Sequence, residues 1–277
     1  MKPFEVKGSK VLIFGDFHQD INWVKTILEK EKGNYDQIIN LGDLMDSFYS
    51  FPVVATAWEV ADFTKELIDG KHGPYYQIIG NHDSPILESY KYNVKYQNPK
   101  FLFTACSGYT KNKSKDFNKQ FSKEYWAKFE PFAFCNGYLL SHAGIVGTKF
   151  WDYNKNIDDN LDNLYTEFKK SILDLLNTKN VAGRFFDCGF DRGGKEVIGG
   201  PTWVDFDSLL DDSSLPPQIT GHSESFNNIR KQGRNYCLDG ARTTYVILHD
   251  DGKLDLKSTR NWFHYSVDGK TTEVVNI

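Results

Sequence analysis

Short apolar runs recur along the chain, and each is followed by glycine or serine and then by a polar residue. Five runs have this form, at residues 10–14, 36–41, 74–79, 137–140 and 217–220. Short apolar runs bounded by turn-forming residues are typical of buried strands. The sequence therefore predicts five buried strands, each with a polar residue just beyond its carboxyl end.

Other stretches carry apolar residues at helical spacing. Residues 21–28 lie between the first two predicted strands, and residues 158–177 show the same spacing over a longer span. Strands that alternate with helices indicate βαβ units and an α/β fold. From Tyr236 onward apolar and polar residues alternate, and Asp250-Asp251-Gly252 and Asp268-Gly269 predict hairpin turns in a second sheet.

The residues that follow the predicted strands form five short motifs in a fixed order. They are Gly15-Asp16-Phe17-His18, Gly42-Asp43-Leu44-Met45-Asp46, Gly80-Asn81-His82-Asp83, Ser141-His142-Ala143-Gly144 and Gly221-His222. Binding sites of open α/β sheets lie at the carboxyl ends of the strands. Carboxylate oxygens and imidazole nitrogens suit Mn, Fe, Zn, Co or Ni. Two such ions bridged by a carboxylate commonly hydrolyse phosphoesters, so the motifs predict a metal site for that chemistry.

Composition and charge limit the classes of function. The chain has 277 residues, 40% of them hydrophobic, and a net charge of −4, so a core can form but no overall basic field attracts nucleic acid. Residues 1–7 do not resemble a signal peptide, and no apolar stretch approaches the ~20 residues of a membrane span. We therefore expect a cytoplasmic protein with no membrane partner. The four scattered cysteines predict free thiols.

In its five motifs the chain resembles the calcineurin-like metallophosphoesterases, and within them most closely the serine/threonine protein phosphatase and diadenosine tetraphosphatase branch. The motifs span residues 15–222, and residues 142–145 and 200–203 are also similar to that branch. The resemblance implies an α/β fold, a β-sandwich of two mixed sheets flanked by helices with the metals at one edge. It further implies a single domain over residues 1–277, with insertions at 84–130 and 149–200.

The resemblance also implies roles for individual residues. Asp43 would bridge two divalent ions, with Mn²⁺ expected and Fe, Zn, Co or Ni as alternatives. His82 would be the general acid, and Asp46 would orient it and stabilise its protonated form. The six implied metal ligands are Asp16, His18, Asp43, Asn81, His142 and His222.

The chain departs from the family pattern at two places that bear on the substrate. Residues 221–224 read Gly-His-Ser-Glu and lack a second histidine, which points away from nucleases and cyclic-nucleotide diesterases. Ser47 and Ile79 stand where the protein phosphatases carry arginines that hold phosphate. All six implied metal ligands are therefore present, whereas the two arginines that hold phosphate in the protein phosphatases are absent.

Two other arginines are candidates to bind the substrate phosphate. Arg184 and Arg192 lie in a glycine-rich segment, and a planar guanidinium can grip a phosphate with two hydrogen bonds. The alternative is that they pair with Asp187 and Asp191 on a solvated loop. Residues 84–129, which are rich in Lys, Tyr and Asn, are expected to form a solvated insertion, with a substrate-facing lid as the alternative.

Three functions are compatible with these residues. The first is a metal-dependent phosphomonoesterase, similar to a protein phosphatase, whose partner is a phosphoprotein or a phosphorylated small metabolite. The second is a bis(5′-nucleosyl) tetraphosphatase or another hydrolase of nucleotide anhydrides or phosphodiesters, including one acting on nucleic acid. The third is a non-catalytic binding module. It is the least favoured, because all six ligands and both His82 and Asp46 are present.

Overall fold

The computed structural model describes residues 2–47, 54–90, 106–177, 184–226, 228–260, 262–267 and 271–276. Within these residues the chain forms two mixed β-sheets with helices around them. Strands and helices are numbered along the chain. No helix in the described part is long and apolar enough to cross a membrane.

The first sheet has six strands, and its central strands run parallel. Their order is β12 (Leu254–Ser258), β11 (Thr244–His249), β2 (Lys10–Phe14), β3 (Gln37–Asn40), β4 (Tyr75–Ile78) and β5 (Phe129–Glu130). Strands β2, β3 and β4 are parallel neighbours, and β11 runs antiparallel to β2 and to β12. The carboxyl ends of β2, β3 and β4 therefore lie at one edge.

The second sheet has eight strands among the described residues. Their order is β1 (Glu5–Val6), β6 (Ala133–Cys135), β7 (Tyr138–Leu140), β8 (Gln218–Thr220), β10 (Asn235–Cys237), β9 (Asn228–Gln232), β13 (Trp262–Val267) and β14 (Thr271–Asn276). Strands β7, β8 and β10 are parallel neighbours. This sheet thus repeats the arrangement of the first, with three parallel strands whose carboxyl ends lie together.

Alternation along the strands produces two apolar layers. In β2, Val11 and Ile13 pack between the sheets with Leu140 and Ile219 of the second sheet. The intervening Leu12 and Phe14 belong to the core on the other face, beneath the helices. Because successive side chains of a strand point to opposite faces, one continuous apolar run serves both layers.

Seven α-helices lie within the described residues. They are α1 (Ile21–Lys30), α2 (Ala57–Ile68), α3 (Asp83–Tyr90), α4 (Lys111–Gln120), α5 (Lys123–Trp126), α6 (Gly147–Phe150) and α7 (Ile157–Leu176). Helix α2 begins with a capping box, in which Thr56 and Glu59 satisfy each other's backbone N–H groups. Helix α7 buries the stripe that its sequence predicts, including Leu161, Phe168 and Leu175.

The predicted fold class is confirmed, and all five predicted strands are present as β2, β3, β4, β7 and β8. The predicted turn at residues 250–252 joins β11 to β12, but its placement in a second sheet is wrong, because β11 pairs with β2 in the first sheet. The turn predicted at 268–269 lies outside the described residues. Helix α4 exposes Lys111, Lys115 and Lys119, as predicted for a solvated insertion, but the described part of residues 84–129 is not solvated throughout. There Phe117, Phe121 and Trp126 are fully buried in the core beneath the helices. The division into one domain with insertions stays a prediction.

Replacement of Ile13 by alanine tests the layer between the sheets. Ile13 is fully buried there, so Ile13→Ala leaves a cavity and is expected to lower the free energy of unfolding by about 2–5 kcal/mol. Urea denaturation of the wild type and of Ile13→Ala measures this difference. Leu210→Ala is the control, because Leu210 is 71% exposed and its truncation is expected to cost under about 0.5 kcal/mol. Equal losses in the two variants would contradict the assigned layer.

Candidate metal centre

Five parallel strand ends meet at one edge of the molecule. Strands β2, β3 and β4 approach from the first sheet, and β7 and β8 from the second. A backbone hydrogen bond from Gly221 N to His142 O, 2.7 Å long, joins the loops after β7 and β8. The structure brings the six predicted ligands together at this edge, and these are Asp16, His18, Asp43, Asn81, His142 and His222.

One group of ligand atoms forms around His142. Its Nδ1 lies 2.9 Å from the carbonyl oxygen of Leu41 and must donate the proton, since a carbonyl oxygen can only accept. In the neutral ring its Nε2 therefore carries no proton and can only accept a hydrogen bond. Yet Nε2 lies 2.7 Å from Oδ1 of Asn81 and 3.4 Å from Oδ2 of Asp43, which are acceptors too. Acceptors packed this closely repel one another unless a cation lies among them.

A second group of ligand atoms forms around His18. Its Nδ1 donates to the carbonyl oxygen of Met45 at 2.7 Å, so its Nε2 carries no proton in the neutral ring. This Nε2 lies 3.8 Å from Oδ2 of Asp43. Oδ1 of Asp16 is buried without a hydrogen-bond partner, while its Oδ2 accepts from the backbone N–H of His222 at 2.9 Å. A buried carboxylate oxygen that accepts no hydrogen bond, beside an unprotonated imidazole nitrogen, fits a divalent cation.

The two groups share one carboxylate. Ligand atoms of Asp43, His142 and His222 lie within 4.8 Å of one another, and so do those of Asp16, His18 and Asp43. The residues present thus form two groups that each fit a metal ion, and both groups include Asp43.

Burial shifts the pKa values of the ligand side chains, and a bound metal ion would change their protonation states. Burial raises the pKa of Asp16 and of Asp43 well above their ordinary values, and neighbouring carboxylates add to the rise. It lowers the pKa of His18 and of His142 to about 3. Because a divalent ion binds the deprotonated carboxylates and the neutral imidazoles, binding to this site would release protons from the acids.

The backbone around Asp43 is held by a residue that was not among the predicted site residues. The carboxylate of Asp83 accepts hydrogen bonds from the backbone N–H groups of Asp43, Leu44 and Gly80, at 3.0, 3.0 and 2.8 Å. It therefore clamps the loop after β3 to the loop after β4. Its place in the third motif was the only sequence signal for this role.

Close packing restricts the residue at position 80. A Cβ on Gly80 would lie 2.1 Å from Oδ1 of Asp43. The backbone of Asp43 itself is left-handed, with φ 55°, as is that of His222, with φ 66°. Such conformations cost on the order of 1 kcal/mol or more each and are common at functional sites. Packing across the site thus holds these ligands in strained conformations.

His82 and Asp46 form a hydrogen-bonded pair beside the ligands. Nδ1 of His82 lies 3.2 Å from Oδ2 of Asp46, and the backbone N–H of His82 donates to Oδ1 of Asp43 at 2.9 Å. Burial raises the pKa of Asp46 to about 7 and lowers that of His82 to about 3. Below a pH of about 7 a proton on this pair therefore resides on Asp46, and both side chains are neutral.

The cavity in front of these residues has a volume of about 630 Å³. Its wall combines ligand residues with charged side chains from the second sheet and the loops before it. Four of the six ligands line it, namely His18, Asp43, Asn81 and His222, and so does His82. The other lining residues are Cys106, Ser107, Arg192, Trp203, Asp205, Asp207, Ser223, Glu224, Arg230 and Asp239. The cavity thus exposes the ligand atoms to a substrate.

The two candidate arginines lie in different places. Arg192 lines the cavity, where its Nη2 donates to Asp205 and to Ser223, at 2.8 Å in each case. Arg184 does not line it and forms a two-pronged pair with Glu167, at 2.9 and 3.0 Å. Arg184 is therefore placed for packing against α7, and only Arg192 stays a candidate for substrate binding. The partners of both arginines differ from the aspartates that the sequence suggested.

Two further cavity residues were not predicted from the sequence. Arg230 of β9 donates to Asp207 at 3.1 Å and lies over the ring of Phe206. Cys106 accepts from Nδ2 of Asn81 at 3.4 Å, which turns Oδ1 of that amide toward the histidines. Neither stands in a motif, and only tertiary packing brings them to the site.

Comparison with known proteins identifies the family. A sequence model of the calcineurin-like phosphoesterases matches residues 9–223, and the chain therefore belongs to that family. It is a metallophosphoesterase, a hydrolase of phosphoester bonds, and its Asp and His groups suit the divalent metals that the family uses. No curated protein sequence matches the chain.

Solved structures that align with this chain include several phosphatases. A cold-active protein-tyrosine phosphatase from a psychrophilic Shewanella species aligns with TM-score 0.57 and 14% identity, over 93% of this chain and 83% of that chain. A protein serine/threonine phosphatase from Saccharomyces cerevisiae aligns with TM-score 0.49 and 16% identity, over 92% and 83%. A protein provisionally described as a diadenosine tetraphosphatase aligns with TM-score 0.47 and 15% identity, over 93% and 98%. The alignment with the Shewanella phosphatase, at 14% identity, shows a shared fold alone.

Gly80→Ala tests the close approach at Asp43. The added methyl group would displace Oδ1 of Asp43, so we expect a loss of about 1–3 kcal/mol in unfolding free energy and weaker Mn²⁺ binding. Thermal unfolding without metal and calorimetric titration with Mn²⁺ measure the two effects. Gly15→Ala is the matched control, because the nearest atom to its added Cβ would be 3.8 Å away. Normal Mn²⁺ affinity in Gly80→Ala would contradict the assigned contact.

Proposed function

We propose that this metallophosphoesterase is a phosphomonoesterase that acts through two divalent ions, with Mn²⁺ the first to test. The observation that carries the proposal is the pair of acceptor groups sharing Asp43. Asp16, His18 and Asp43 would hold one ion. The other would be held by Asp43 together with Asn81, His142 and His222.

The metal ions and the protein would have separate tasks. When bound, the ions neutralise phosphate charge and lower the pKa of a coordinated water. The chain holds the ligands in place through the carbonyl groups of Leu41 and Met45 and through the carboxylate of Asp83. Because these contacts exist before a substrate arrives, little reorganisation is needed during the reaction.

His82 is proposed as the group that protonates the leaving oxygen. It lines the cavity, and its Nδ1 faces Asp46 on the buried side. Together the two residues can hold one proton, since burial raises the pKa of Asp46 to about 7. A phosphate anion beside His82 would draw that proton onto the imidazole, which then donates it to the leaving alkoxide.

The wall of the cavity supports a monoester substrate. Glu224, which follows His222 and Ser223, lies in the cavity wall where diesterases of the family carry a histidine, so that histidine is absent here. Arg192 adds a guanidinium on the same side, 2.8 Å from the hydroxyl of Ser223. A monoester dianion has more charge for the ions to neutralise than a diester has. Phosphoproteins and phosphorylated small metabolites are the substrates proposed.

Hydrolysis of two model substrates tests the proposed function. With Mn²⁺ we expect faster turnover of para-nitrophenyl phosphate than of bis-para-nitrophenyl phosphate. Asp43→Asn is expected to abolish turnover of both and to weaken binding at both metal positions, since it removes the shared carboxylate. Full activity in Asp43→Asn would exclude the two-metal assignment. Preference for the diester would redirect the search to nucleotides and nucleic acids.

His82→Asn tests the proton donor. We expect turnover to fall by about 10²–10⁴-fold for phenyl phosphate and by much less for para-nitrophenyl phosphate, whose leaving group needs no proton. In the wild type, activity toward phenyl phosphate should decline as the pH rises past ~7, because the pair then loses its proton. The control is Mn²⁺ content, which should be unchanged. Loss of metal in His82→Asn would instead identify His82 as a ligand.

A further inference from the structure

Asp239 stands out among the cavity residues because of its place in the sheet. It follows β10, which runs parallel to β8, and the backbone N–H of Leu238 donates to Thr220 O at 2.7 Å. The strand ends that bear ligands are three in the first sheet and two in the second, and β10 is the neighbour of the second of these two. Asp239 occupies the position after β10 that His222 occupies after β8.

The carboxylate of Asp239 is buried and only weakly satisfied by the protein. The residue is 6% exposed, and its Oδ1 accepts one long hydrogen bond, 3.3 Å, from the backbone of Ala241. Among the described residues no basic side chain forms an ion pair with it. Nevertheless it lines the cavity together with His18, Asp43 and His222.

A buried carboxylate in this position is unfavourable without a cation. Asp16 and Asp43 are buried carboxylates as well, 3% and 2% exposed, and Asp43 lines the same cavity as Asp239. Like charges in a poorly solvated site raise the free energy of the folded state. A divalent cation at Asp16 and Asp43 would turn this repulsion into attraction, because Asp239 would then face positive charge.

Asp239 lies outside both groups of ligand atoms that converge within 4.8 Å. Its position therefore does not indicate that Asp239 binds a metal ion directly. Carboxylates just beyond the ligands commonly orient them or accept hydrogen bonds from bound water, and their loss typically weakens metal binding by about 10–100-fold.

We propose that Asp239 is a further residue of the metal centre, a carboxylate beside the ligands that strengthens divalent-cation binding. This inference rests on the proposed two-metal function. It assigns to Asp239 a positioning and electrostatic role, which is distinct from that of the six ligands and of His82.

Two measurements on Asp239→Asn test the proposal. Titration of metal-free protein with Mn²⁺ should show affinity weakened by about 10–100-fold. The melting temperature of the metal-free protein should stay the same or rise, because a buried like charge is removed. A merely structural residue would instead lower the melting temperature. Asp239→Glu, which keeps the charge, should retain more affinity than Asp239→Asn.

Asp207→Asn is the matched control. Asp207 lines the same cavity, but its side chain is 81% exposed and pairs with Arg230, so its loss should leave Mn²⁺ affinity unchanged. Unchanged affinity in Asp239→Asn, or a fall in both affinity and metal-free melting temperature, would overturn the proposal. Failure of the wild type to bind Mn²⁺ would overturn the proposed function as well.

A crystal structure of the wild type with Mn²⁺ provides an independent measurement should Asp239→Asn not fold. The carboxylate of Asp239 is expected to accept a hydrogen bond from a ligand or from a water on the metal. A carboxylate turned away from the ions would overturn the proposal.

Discussion

The central constraint on this structure is the mutual repulsion of acceptor atoms buried at one edge of two sheets. Nε2 of His142 and Oδ1 of Asn81 are 2.7 Å apart, and neither has a proton to share. Oδ1 of Asp16 is buried with no donor at all. Such an arrangement opposes folding, so the rest of the molecule must hold these groups in place until a cation compensates for their repulsion.

Backbone hydrogen bonds and apolar packing hold the acceptor groups in place despite their mutual repulsion. Carbonyl groups at Leu41 and Met45 orient two imidazoles, and Asp83 ties the loops after β3 and β4 together. Beneath them the sheets are joined by a layer that includes Ile13 and Ile219. The cost of the strained and repelling site is offset by this large core, and the same rigidity preorganises the site for an anionic substrate.

Sequence patterns predicted much of this arrangement. Each motif residue follows an apolar run, and parallel strands end at a common edge, so convergence at one site followed from the order of motifs. The helical spacing in 158–177 likewise predicted α7. The burial of Phe117 and the pairing of Arg184 with Glu167 did not follow from the sequence, because both depend on which distant helix lies next to the residue.

What the sequence determined by itself was the five strands that precede the motifs and the chemistry at their ends, because strand formation and ligand identity are local properties of a few neighbouring residues. Tertiary structure decided which side chains face the cavity. Asp239, Arg230 and Cys106 belong to no motif, and they reach the site only because β10, β9 and the segment before α4 pack beside the ligand-bearing loops. Such contacts join residues far apart in the chain, and their free energy depends on packing and burial that no local pattern records.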